Sequence, residues 1–150
     1  MSRDIELAKR LRNAENYTCV LVKGENVYCS RERGVKPLVE WISEGKELRG
    51  YAAADKVVGR AAAFLYAYMG ISSLYADVLS ECGQKVLRDY GITNACGVLV
   101  PQIINRAGTG LCPMEEATGK ARSPLEALGA VRLKLEKMGI FVEKKKEEKA

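Results

Sequence analysis

Residues 48–70 read LRGYAAADKVVGRAAAFLYAYMG, and the way this stretch folds decides the architecture. From Val57 onward it is apolar nearly all round, with Val58, Phe64, Leu65 and Met69 set among alanines. A helix of that composition has no solvent face and is expected to be sandwiched inside the protein. Asp55 is placed to cap it and Gly70 to stop it, so the pattern predicts one buried helix over 55–69. Gly59 and the alanines are small enough to let it approach a sheet closely. The apolar run is too short to cross a bilayer, which needs about 18 residues.

On either side the chain alternates. Residues 3–13 carry Ile5, Leu7, Ala8 and Leu11 at helical spacing behind an acidic first turn. YTCVLVK (17–23) and NVYCSRE (26–32) read as an antiparallel hairpin about Gly24, and 34–45 as a helix ending at Gly45, with Trp41 a core anchor. Residues 71–80 read as a strand, 80–91 as a helix between Ser80 and Gly91, and 92–105 as strand material bent at Pro101. Residues 123–139 show Ser123, Pro124 and Glu126 in the order of a capping box. A last short strand is expected from Ile140. Strands alternating with helices predict an α/β domain over 1–142, with later strands parallel, followed by a charged tail over 143–150.

Composition removes several chemistries. The 150 residues contain no histidine, which excludes Ser-His-Asp and Cys-His catalysis and any imidazole metal site. The net charge of +5 carries no aromatic-interleaved basic stripe, so it reads as solvated surface charge and not as a nucleic-acid footprint. The start, MSRDIELAKRLRN, lacks an apolar export core. Five cysteines without such a core favour reduced thiols and a cytoplasmic location. Whether Cys19 and Cys29 face each other depends on the hairpin: a two-residue turn at Gly24–Glu25 puts them on opposite faces, a three-residue turn pairs them.

Three places could carry chemistry. Asp55 is either a plain helix cap or an acid/base group at a pocket, with Lys56 and Arg60 binding an anion beside the helix start. Cys82 is either a small buried hydrophobe or a thiolate at the start of the next helix. The third is NRAGTGLCPMEEATG (105–119). There Asn105, Thr109 and Gly110 could build an anion nest with Gly108, and Cys112 precedes Pro113 as a candidate N-cap. Glu115 and Glu116 share that first turn and oppose a thiolate there. The segment is therefore either a helix entry or a cover over the start of the buried helix, which would bring Asp55, Cys82, Cys112 and Glu115 together. Asp55, Cys112 and Glu115 are the candidate reacting groups.

The order of elements, with AADKVVGRAAA (53–63) and NRAGTGLCPMEEA (105–117), resembles an uncharacterised prokaryotic family of unknown function with a cytidine-deaminase-like fold. The resemblance spans roughly Tyr17 to Met138. It implies a three-layer α-β-α sandwich whose mixed sheet starts with an antiparallel hairpin, and a tendency to form homodimers. Zinc deaminases carry a glutamate two residues after the first ligand, and a Pro-Cys-x-x-Cys at the next helix. Here Val57 stands in the first place, and Lys85 in the place of the second cysteine. No metal or cofactor is therefore expected. The expected activity is binding of a small nucleotide-like or anionic ligand without zinc chemistry, and the alternative is a self-assembly or protein-interaction domain.

Overall fold

The computed structural model describes residues 3–142. The elements run α1 (Arg3–Glu15), β1 (Cys19–Lys23), β2 (Asn26–Ser30), α2 (Lys36–Ser43), β3 (Ala52–Val58), α3 (Arg60–Met69), β4 (Ser73–Ser80), α4 (Glu81–Asp89), β5 (Thr93–Val100), α5 (Pro113–Ala117) and α6 (Pro124–Lys137). They form a five-stranded mixed sheet of order β2-β1-β3-β4-β5. β1 is antiparallel to both β2 and β3, whereas β3, β4 and β5 are parallel.

The single helix expected over 55–69 is a strand followed by a helix. Residues 52–58 form β3 in the middle of the sheet, and the helix begins only after Gly59. Val57 and Val58 continue the apolar run of α3 in sequence, but they are β-branched and pair with Val78 and Leu79 of β4. A central strand needs small residues when helices press on both of its faces. Ala54 joins Ala8, Val20 and Val22 beneath α1, while Ala53 joins the larger core on the opposite face with Leu21, Leu74 and Ala76. Asp55 is therefore a mid-sheet residue, paired across the ladders with Cys19 and Ala76.

The larger core lies between the sheet and α2, α3, α4 and α6. Tyr66 and Leu65 of α3, Leu38 of α2, Leu87 of α4 and Leu128 of α6 are its fully or nearly fully buried members. Trp41 belongs to it, with its ring 6.4 Å from that of Tyr28. α1 covers the other face over β1 and β3 and reaches β4, where the buried Arg12 bridges to Asp77.

The hairpin takes the two-residue turn: Val20 pairs with Cys29 and Lys23 with Asn26. Cys19 is accordingly buried, Cys29 exposed, and all five thiols are free. Ser80 and Ser123 cap their helices as expected, each accepting from the amide three residues on. Glu126 reaches back to the Arg122 amide at 2.9 Å, one residue earlier than a capping box requires. The strand expected over 92–105 stops at Val100, before Pro101, because proline cannot donate to a ladder. Ile140–Val142 form no strand, and the rest of that expected segment lies outside the described residues.

Candidate functional site at the start of α3

The first turn of a helix leaves amides without partners, and a carboxylate there is held by hydrogen bonds and by the helix dipole. Asp55 does not do this for α3. Gly59 is the N-cap, and the carboxylate comes from Glu115 of α5. The amides of Arg60 and Ala61 donate to Glu115 Oε1 and Oε2 at 2.7 and 3.0 Å, one to each oxygen. Glycine at 59 is required by space: a Cβ there would lie 2.5 Å from Glu115 Oε1. Gly83 is required in the same way, because its Cβ would lie 2.9 Å from the Gly59 carbonyl oxygen. Two glycines thus bring the starts of α3 and α4 together under one carboxylate.

The Arg60 guanidinium turns toward α4 and donates to Cys82 Sγ at 3.3 Å. Cys82 is exposed, so its reading as a buried hydrophobe does not hold. Lys56 is exposed within β3, three residues before Gly59. Arg60, Cys82 and Glu115 are therefore gathered at one place.

Asp55 heads a second, buried cluster. Tyr66 Oη donates to Asp55 Oδ2 at 2.6 Å, the Lys56 amide donates to Oδ1 at 2.7 Å, and Cys19 Sγ lies 3.0 Å from Tyr66 Oη. Burial raises the Asp55 carboxyl to about 6, against the hydrogen bonds from Tyr66 and the Lys56 and Val57 amides, which lower it. The same burial, with the Asp55 charge, pushes Tyr66 and Cys19 well above their ordinary values. Cys112 is not a hydrogen-bond partner of Asp55. Both clusters draw on α3 but occupy different places: one at the mouth of α3, the other a turn and a half down its buried side.

The remaining candidates serve the loop that carries Glu115. Ile104 bridges to Leu111, and the Asn105 amide donates to the Gly110 carbonyl at 2.8 Å. The Gly108 amide donates to the Asn105 carbonyl, and the Thr109 amide to Asn105 Oδ1. The nest expected at the Gly-Thr-Gly turn has therefore spent those two amides on Asn105. Cys112 is the N-cap of α5 with Pro113 at the first position, and its half-buried side chain packs on the core without a capping bond. Met114, buried beside it, anchors α5.

Sequence reading assigned none of Gly59, Gly83, Tyr66 and Cys19 to a site. The signal for Gly59 was present in VVGRAAA, a glycine where a helix former would otherwise stand. Nothing local marks Tyr66 as the partner of Asp55.

Fold and site together define an α/β protein whose buried helix begins at a carboxylate-holding turn. The model of the family described as TM1506, domain of unknown function DUF1893, matches residues 7–135, and the chain belongs to that family. A crystal structure of a DUF1893 family protein, TM1506 from Thermotoga maritima, is similar with a TM-score of 0.80 at 23% identity, covering 89% of this chain and 92% of that one. No curated protein matches the sequence.

Proposed function

We propose that the chain is a cytidine-deaminase-like three-layer domain that binds a small anionic, nucleotide-like ligand at the start of α3, without zinc-dependent deamination. One observation carries this reading: the Arg60 and Ala61 amides already hold a carboxylate, that of Glu115, at 2.7 and 3.0 Å. Backbone amides at a helix start hold phosphate and carboxylate groups by the same physics. A ligand anion would take the place of the Glu115 carboxylate, with Arg60 and Lys56 supplying positive charge beside it. The hairpin followed by alternating helices and strands supports the deaminase-like layout. Cytoplasmic residence belongs to the same reading.

The donor set does not suit catalytic zinc, which needs about three protein ligands and an open position. Among the described residues no three His, Cys, Asp or Glu side chains gather into a metal-holding group. At the helix starts, Glu115 is engaged by amides and Cys82 by Arg60. No step is therefore routed through a metal. Of the three candidate reacting groups, Glu115 lies at the proposed site, whereas Asp55 belongs to the buried cluster with Tyr66 and the Cys112 side chain packs on the core.

A thermal-shift series with inorganic phosphate and nucleoside mono- and diphosphates tests this. A ligand bound only by the native state stabilises it by about 2.7 kcal/mol at a hundredfold excess over Kd. The melting point should rise with at least one phosphate-bearing compound and should rise less in Arg60→Ala, which keeps the two amides and loses the guanidinium. No rise with any of them, or an equal rise in the variant, would refute the reading. The second reading, a self-assembly domain, is favoured by the character of β5.

A further inference from the structure

The sheet has two edges, β2 and β5, and they are built differently. β2 has five residues and runs directly into Arg31-Glu32-Arg33. Short length and adjacent charge are the usual means of keeping an edge from pairing with another chain. β5 has eight residues, TNACGVLV, with no charge and no proline.

The uncharged character extends well beyond the strand. Residues 90–105 contain no Asp, Glu, Lys or Arg in a chain that is 29% charged, and through Met114 the one charged residue is Arg106. The one other stretch of equal length without charge is 61–76, which is mostly buried in α3 and β4. In 90–105 only Ile92 is buried. A long exposed stretch without charge in a well-charged chain is what a covered surface looks like before it is covered.

Both faces of this edge are apolar. Val57, Val78 and Val98 pair in register across β3, β4 and β5, so they form one row on one face, with Val57 45% and Val98 55% exposed. Leu99, 44% exposed, points to the other face.

We propose that β5 is a self-association edge, at which two copies of the chain pair antiparallel through Thr93–Val100 about a two-fold axis and join their sheets into one. The occupant is a second copy because an uncharged strand is complementary to itself: under a two-fold axis each residue meets one of the same set, and no like charges oppose. The rest of the surface of a chain with net charge +5 repels its own copy, whereas this strip does not. Backbone hydrogen bonds supply the attraction, and Val98 and Leu99 gain a neighbour on each face.

Light scattering on the full chain, across a micromolar concentration series, tests the proposal. The wild type should weigh twice its 16.5 kDa at the upper end. The exposed-edge variant Val98→Lys/Leu99→Lys should dissociate at least tenfold more readily, with its melting curve kept. The control Leu133→Lys, on exposed α6 surface, should dimerise as the wild type does. Should the edge variant fail to fold, hydrogen exchange of wild-type β5 amides decides: protection rising with protein concentration supports the pairing. A wild type of 16.5 kDa throughout, a dimer indifferent to the edge lysines, or concentration-independent exchange would overturn it.

Discussion

Glu115 and Arg60 are fifty-five positions apart, yet the first caps the helix that the second begins. The cap on the buried helix is thus tertiary. A short segment after β5 must fold back, through its own Asn105–Thr109 turn and the buried Met114, before α3 has its carboxylate. This links the order of the 101–118 loop to the integrity of the central helix.

Replacing Glu115 by alanine orphans two amides at once. Loss of a side-chain N-cap costs about 0.5–2 kcal/mol, and the bonds lost here are charge-assisted, so we expect about 2 kcal/mol. Glu115→Gln keeps one good acceptor and should lose less. Urea denaturation of both variants measures this. An alanine variant as stable as the wild type would mean that the contact contributes nothing.

Gly59→Ala should destabilise through one identified collision, since the new Cβ would meet the Glu115 carboxylate 2.5 Å away. The backbone itself tolerates alanine, with φ at −110°. In the Glu115→Ala background the collision is absent, so most of the cost should vanish. A double-mutant cycle is expected to give a coupling of about 1–3 kcal/mol. Additive costs would show that Gly59 is needed for some other reason.

Asp55 sets a pH dependence of unusual sign. Its folded carboxyl lies at about 6 against 3.8 for the free group, so the folded state holds the proton more tightly than the unfolded one. Its contribution to stability is therefore greatest below about pH 4 and is lost as pH rises through about 6, by on the order of 3 kcal/mol. Asp55→Asn should be flat across this window and gain on the wild type as pH rises. The amide oxygen can accept from Lys56, and its NH2 can donate to Tyr66 Oη, whose proton then turns to Cys19. Denaturant midpoints of both proteins between pH 4 and 8 test the sign. A deficit of the variant that does not shrink with pH would contradict it.

The thiols should react in order of exposure. Cys29 and Cys82 are exposed, Cys96 and Cys112 half-buried, and Cys19 buried with its thiol pushed up by that burial. Timed alkylation read by peptide mass spectrometry should label the first pair soonest and Cys19 last. Cys112 reacting before Cys82 would restore it as the more open of the two.

Much of this architecture is written locally. Ser80 and Ser123 announce their helices, Gly24 announces a hairpin, and apolar runs after it announce parallel strands. Most of what escaped reading depends on distant residues. The end of β3 looks helical because Val57 and Val58 run on into the apolar stretch of α3, and only their pairing with Val78 and Leu79 of β4 places them in a strand. Asp55 looks like a cap because it is a carboxylate shortly before an apolar helix; the true cap comes from across the molecule. The Gly-Thr-Gly turn looks like an anion nest until Asn105 is seen to take the Gly108 and Thr109 amides. The turn is settled by Asn105 within the same segment, whereas β3 and the cap of α3 are decided by contacts across the molecule.

The central claim is that the Arg60 and Ala61 amides form an anion site now filled by Glu115. Amide nitrogen and proton shifts of these two residues, followed during a phosphate titration in wild type and in Glu115→Gln, test it most directly. The account predicts saturable shifts at both amides, at lower phosphate concentration in the variant than in the wild type. Amides that stay fixed in both proteins throughout the titration would contradict it.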